Sequence, residues 1–152
     1  MALRARYIAI ALLLFVVAAA SFYLLIVSTS IPVFSVKEIE EDPNANSFLN
    51  RRLQLVGNVV EFNTSGFLLN DPKNRSDYTY MIYVQADNDV ERPAGFAVNK
   101  TVLVEGKLTE FLNGTVQITR NGVETWISIP DLGIFKATKI STKCPSKYQS
   151  ES

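Results

Sequence analysis

Two kinds of hydrophobic patterning divide this chain. From Tyr7 to Val27 apolar residues run almost unbroken, with Ser21 the one polar residue near the middle, and about twenty such residues in a helix span the core of a bilayer. Beyond Arg51 the period changes to two, the signature of half-buried strands. Leu53, Leu55, Gly57 and Val59 share one face of a first strand, and the glycine in its interior predicts a bulge or sharp bend. Thr64-Ser65-Gly66 turns the chain, and 67–70 returns as a second strand before the polar loop of Asp71-Pro72-Lys73-Asn74. Tyr80, Ile82, Val84 and Ala86 alternate with Thr79, Met81, Tyr83 and Gln85 in a third strand, and 87–99, broken by Pro93 and Gly95, reads as an irregular connection.

Val102, Val104, Gly106 and Leu108 open the fourth strand. Two Asn-Gly pairs follow, Asn113-Gly114 and Asn121-Gly122, each a strong hairpin signal because both central residues of a type I′ turn need positive φ. They predict a meander of strands over 101–112, 115–120 and 123–129, stopped by Pro130-Asp131-Leu132-Gly133 and followed by a last strand over 134–140. Five or six short strands, glycines at two bends and almost no helix predict an all-β fold, a small oligonucleotide/oligosaccharide-binding (OB) barrel. The alternative, an immunoglobulin-like sandwich, lacks its seven strands and its cysteine pair. The expected organisation is a cytoplasmic stub and transmembrane anchor over 1–30, a linker over 31–50 with one short element around Ser35–Ile39, the barrel over 51–140 and a flexible tail over 141–152.

Charge adds a polarity to this layout. The formal net charge is zero, but residues 31–135 hold 9 basic and 14 acidic side chains, whereas residues 136–152 hold four lysines and one glutamate. An acidic body gains nothing from counterion release on a phosphate backbone, so nucleic acid is not expected as a partner. Arg4 and Arg6 before the apolar run place the amino end in the cytoplasm and the barrel on the extracytoplasmic face of the cell membrane. Apolar sequence resumes over Phe22–Ile26, directly after the small residues Ala18-Ala19-Ala20 and Ser21, which favours an uncleaved signal-anchor. The sequons at Asn63, Asn74, Asn99 and Asn113 agree with that topology. The acidic run Glu38, Glu40, Glu41 and Asp42 reads as a solvated linker.

Candidate chemistry is narrow. There is no histidine and one cysteine, Cys144, which excludes a Ser-His-Asp triad, an intramolecular disulfide and zinc spacings. Cys144 stands between Lys143 and Pro145-Ser146-Lys147, where neighbouring ammonium groups favour the thiolate and proline holds the segment extended. Tyr148 is four residues on, and tyrosine oxygen is a haem-iron ligand type; Lys143 and Lys147 are candidate contacts for carboxylates such as haem propionates. Tyr80, Tyr83, Phe67 and Trp126 are candidates for an aromatic platform, although aromatics at strand period belong more often to the core.

The order of these features resembles the CcmE family, the haem chaperones of cytochrome c maturation. The resemblance runs from the anchor through Leu55-Val56-Gly57-Asn58-Val59-Val60, Val102-Leu103-Val104-Glu105-Gly106-Lys107-Leu108 and Phe135-Lys136-Ala137-Thr138-Lys139-Ile140 to a terminal C-x-x-x-Y, in which Cys144 stands where most of the family has histidine. It implies a membrane-anchored carrier, not an enzyme, that holds haem b transiently and covalently through Cys144 and gives it to apocytochrome c. Tyr148 would be an axial iron ligand, and Phe135 and Ile134 would support the macrocycle. The implied partners are the membrane, the haem-loading and haem-ligating components of the maturation system, and apocytochrome c. The alternative reading is a membrane-tethered OB interaction domain with an intermolecular disulfide at Cys144.

Overall fold

The computed structural model describes residues 12–21, 30–120 and 122–148, in two units that divide after Ile31. In the first unit residues 12–21 form helix α1, whose Ser21 hydroxyl donates to the Val17 carbonyl at 2.8 Å. No helix among the described residues is long and apolar enough to cross a membrane. The expected transmembrane anchor is therefore not found; most of its remainder, over 7–11 and 22–27, lies outside the described residues.

The second unit is a β-barrel. Strands β1 (Val33–Ser35), β2 (Arg52–Phe62), β3 (Gly66–Asn70), β4 (Met81–Gln85), β5 (Thr101–Arg120) and β6 (Val123–Ser141) form one sheet in the order β1-β2-β3-β4-β6-β5, closed by an antiparallel β2–β5 pairing. Five strands in the circular order β2-β3-β4-β6-β5, with β4 and β6 parallel, are the Greek-key topology of an OB barrel. The period-two expectation for β2 and β5 is met: Leu53, Leu55, Val59, Val102, Val104 and Leu108 all point into the core with Phe67, Ile82 and Phe135.

Close backbone approach explains two of the glycines. β2 pairs with β5 along its first half and with β3 along its second, and Gly57 sits where it changes partner. A Cβ there would lie 2.7 Å from Leu69 Cβ, so the glycine serves the close approach of β3, while the bulge falls later, at Val60. At Gly106 a Cβ would lie 2.1 Å from the Lys136 carbonyl oxygen, a main-chain atom that cannot swing aside. Gly106→Ala is expected to cost about 3 kcal/mol or more, read as a lowered urea midpoint at unchanged slope; an unchanged midpoint would contradict this account.

Two expectations fail in instructive ways. Of the two expected turns the second is found at Gly122, with φ +77°, its Asn121 lying outside the described residues; Asn113-Gly114 lies inside a continuous β5, at a register shift between Leu112 and Gly114. Opposite that shift β6 runs through Pro130-Asp131 without stopping, since a bulge tolerates a residue that has no N–H to give. The meander is thus one long hairpin. Its residues Ile118, Ile129 and Leu132 pack with Val60, Leu68, Met81 and Ile134 in a second apolar cluster.

The second correction concerns 31–50. This stretch holds β1, helix α2 (Val36–Glu40) and a 3-10 turn (Ala45–Phe48). Val36 and Ile39 are fully buried and Phe48 nearly so, so the segment is part of the core unit and not a tether. Ser35 and Glu38 build the reason for α2: the Ser35 hydroxyl accepts from the Glu38 N–H at 3.2 Å, and Glu38 Oε2 accepts from the Ser35 N–H at 2.8 Å. That capping box satisfies two donors a short helix would otherwise expose.

Candidate functional site

The carboxyl-terminal segment is docked as far as Tyr148, the last of the described residues. After β6 the chain passes Thr142 and Lys143, and Ser146–Tyr148 close a 3-10 turn in which the Tyr148 N–H donates to the Pro145 carbonyl at 2.9 Å. Tyr148 is only 3% exposed. Its hydroxyl donates to Glu38 Oε2 at 2.6 Å, and Lys147 Nζ donates to Glu38 Oε1 at 3.0 Å and to the Tyr148 oxygen at 3.1 Å. The same lysine lies 4.9 Å from the centre of the Tyr148 ring. One carboxylate on α2 therefore holds both side chains of the tail while it caps its own helix.

Electrostatics favour this closed arrangement. Partial burial opposes the charge on Glu38, but hydrogen bonds from Tyr148, the Ser35 amide and Lys147 outweigh it and hold the carboxyl at about 2. Burial, and then the Glu38 acceptor, push the Tyr148 phenol up. Hydrogen bonds to Tyr148 and Glu38 push the exposed Lys147 up as well.

Cys144 is in no disulfide and is half-buried, and burial raises its thiol. The expectation of an exposed, activated thiolate is corrected accordingly: the flanking lysines do not offset the loss of hydration. Lys147 is occupied by Glu38, so of the two expected carboxylate-binding lysines only Lys143 is directed at no carboxylate within 4.0 Å among the described residues.

As a donor set, a thiol and a phenol four positions apart suit a vinyl-bearing porphyrin and its ferric iron. While docked, the phenolic oxygen is shared between Glu38 and Lys147 and the thiol is largely protonated, so neither donor is available until the tail lifts.

The other sequence candidates scatter. Phe67 is a core residue in edge contact with Phe96, Tyr83 packs against the second cluster, Tyr80 is half-buried beside the core, and Trp126 is 67% exposed on the hairpin. They form no platform. Phe135 is sealed in the barrel and Ile134 in the second cluster, because β6 alternates between two apolar environments, and neither offers a surface to a macrocycle.

Sequence reasoning missed the acidic side chains that matter. Glu38 was legible in the pattern Ser35-Val36-Lys37-Glu38, a capping-box spacing, although nothing local points to its partners 109 and 110 residues away. Glu40, expected to be solvated, has its Oε1 out of solvent with no hydrogen-bond partner among the described residues. Burial raises its carboxyl to about 8, the nearby amides of Met81 and Gly133 counter this, and the Asp131 charge adds to it.

No family model and no curated protein matches the chain. Among solved structures it is similar to the telomere capping protein Ten1 from Saccharomyces pombe, at 11% identity and a TM-score of 0.43 over 74% of this chain and 80% of that one. It is also similar to a chain of the S. pombe Stn1-Ten1 complex, at 11% identity and a TM-score of 0.44 over 75% and 77%. Neither likeness assigns an activity.

These findings correct two groups of expectations. The partners, namely a membrane, haem-loading and haem-ligating components and apocytochrome c with nucleic acid excluded, are withdrawn, since the comparisons found Ten1 and a chain of the Stn1-Ten1 complex and no component of cytochrome c maturation. The descriptors cytochrome c biogenesis, transmembrane signal-anchor and cell membrane are withdrawn with them, as is metal-binding by a cluster of thiol and carboxylate side chains: no spanning helix, and no group of three or more His, Cys, Asp and Glu able to hold a metal ion, occurs among the described residues.

Proposed function

We propose that this chain is a carrier of haem b that uses its carboxyl-terminal segment, with Cys144 as the covalent attachment point and Tyr148 as the ligand to the porphyrin's iron. The observation that carries the reading is the Glu38 carboxylate, which holds Tyr148 and Lys147 of the same terminal segment that carries Cys144. The resemblance of the terminal C-x-x-x-Y to the cysteine-bearing CcmE pattern supports it. Haem supplies a vinyl group across whose double bond the S–H of Cys144 adds: the sulfur–carbon bond forms, the proton goes to the other vinyl carbon, and no oxidant is needed. The chain's own part is to keep the thiol protonated and half-covered until the tail lifts, then to present the phenol four residues away.

The test is a haem stain after denaturing electrophoresis together with a visible spectrum, on the full chain incubated with ferrous and ferric haem. Stain that survives denaturation, is lost in Cys144→Ala and keeps its intensity but shifts its spectrum in Tyr148→Phe is the expected result. No denaturation-resistant haem in the wild type would overturn the covalent reading. A second reading, an interaction domain joined to a partner through Cys144, predicts a reductant-sensitive dimer or conjugate that survives in Tyr148→Phe.

A further inference from the structure

The outer face of the barrel carries a row of cations that the tail does not explain. In the sheet register Arg52 of β2 is the Cα partner of Lys107 of β5, and Lys107 is in turn the partner of Lys136 of β6. All three side chains point outward, away from Leu53, Leu108 and Phe135, and all three are exposed. With neighbouring strands about 4.8 Å apart, three positive charges stand over a span of roughly 10 Å. Like charges placed directly opposite one another destabilise a sheet, and residues 31–141, with 11 basic and 14 acidic side chains, have little reason to line up three cations by chance.

The surrounding carboxylates neutralise the row only at its ends. Arg52 pairs with Glu105, and Lys136 lies 3.5 Å from Asp87 in a pair exposed on both sides, an arrangement of small energetic worth. Lys107, in the middle, makes no ion pair among the described residues. The row lines a groove of about 470 Å³ with Thr109 and Thr138. Both threonine hydroxyls are committed as donors to main-chain carbonyls, Thr109 to Ile134 at 3.0 Å and Thr138 to Glu105 at 3.1 Å, so the three cations supply the groove's charge-bearing donors.

We propose that Arg52, Lys107 and Lys136 form a binding site for a compact ligand bearing two or more oxyanions, carboxylate or phosphate. Lys107 is its centre: an anion there takes up the one unanswered charge and turns the mutual repulsion of the row into attraction for the ligand. Arg52 supplies a planar fork suited to two oxygens, and Lys136 exchanges its loose contact with Asp87 for the second anion. The site stands apart from the Glu38–Tyr148 latch and does not rest on the haem reading.

The test is titration of the full chain by calorimetry at low salt with pyrophosphate, with citrate and with a ten-residue oligothymidylate, comparing wild type, Lys107→Gln and, as a control, Lys100→Gln at an exposed lysine outside the groove. Binding of pyrophosphate or citrate that weakens about tenfold or more in Lys107→Gln, weakens with added salt, and is unchanged in Lys100→Gln is the expected result. Whichever probe binds the more tightly identifies the phosphate or carboxylate source. Lys107→Gln should also raise the melting temperature of the unliganded protein at low salt, which shows that the variant is folded and that the repulsion is real. Equal binding by wild type and Lys107→Gln, or no binding by either compact anion, would overturn the proposal; binding of the oligonucleotide alone would replace it with an extended phosphate track.

Discussion

Glu40→Gln is expected to make the barrel more stable in mild alkali and to leave it nearly unchanged in mild acid. In the wild type the Glu40 carboxyl is held at about 8, against 4.5 for the same group in water. A carboxyl raised in this way is protonated in the folded state while the unfolded chain ionises. Stability is therefore greatest below pH 4.5, declines as pH rises, and levels off once the folded carboxyl also ionises near 8. One unit of displacement corresponds to about 1.4 kcal/mol, so the whole decline is on the order of 5 kcal/mol.

Glutamine keeps an acceptor for the amides of Met81 and Gly133, removes the repulsion from Asp131, and cannot ionise. Denaturant melts at pH 4 and pH 9 check this directly. The gap between variant and wild type should open by several kcal/mol at pH 9, corresponding to roughly 10 °C or more in melting temperature. A gap of the same size at both pH values would mean that the carboxyl titrates as it does in water.

Glu38→Ala is the second variant with a large expected effect, and it acts on the tail. It removes the acceptor for the Tyr148 hydroxyl and the counter-charge for Lys147 in one step. A buried phenol without an acceptor is costly, so the tail should detach and uncover Cys144. The rate of Cys144 alkylation at pH 7.5 should then rise about tenfold or more, as rehydration brings the thiol back towards its ordinary value and opens access to it.

Loss of the capping box costs α2 about 1 kcal/mol, a small part of the stability of a barrel of this size, so circular dichroism and the main unfolding transition should change little. An alkylation rate unchanged from wild type, with the barrel intact, would mean that other contacts hold the tail. The pH dependence has the opposite sign to that of Glu40. Glu38 is depressed to about 2, so its contribution is present above pH 4.5 and is lost as pH falls towards 2. Acid should open the latch as the mutation does.

How much of this was legible beforehand depended on whether the cause is local. Alternation in Leu53-Gln54-Leu55 and Val102-Leu103-Val104 reports which face of a strand is buried, and a pleated strand has only two faces, so β2 and β5 were readable from neighbours alone. The turn at Gly122, between β5 and β6, was readable for the same reason from the Asn-Gly dipeptide. The identical dipeptide at Asn113-Gly114 was not. There the pairing of Leu112 with Leu132 and of Gly114 with Ile129 absorbs it as a bulge in a longer hairpin, and packing of Ile118 and Ile129 onto Met81 and Leu68 keeps the hairpin extended. The polar stretch before Arg51 misled because α2 buries only two side chains, Val36 and Ile39, too few to stand out among the acids around them.

The sequence by itself determined an all-β barrel, its two tight glycine positions and the confinement of thiol and phenol to one terminal segment, because strand period, backbone clearance and chain proximity are properties of neighbouring residues. Only the tertiary structure decided that Glu38 closes over Tyr148 and Lys147, that Glu40 is buried beside Asp131, and that Arg52, Lys107 and Lys136 stand in one row. Each of those unites residues that are tens of residues or more apart along the chain, and the charge a side chain carries and the partner it meets are set by barrel closure, which brings distant strands and the tail within reach of one another.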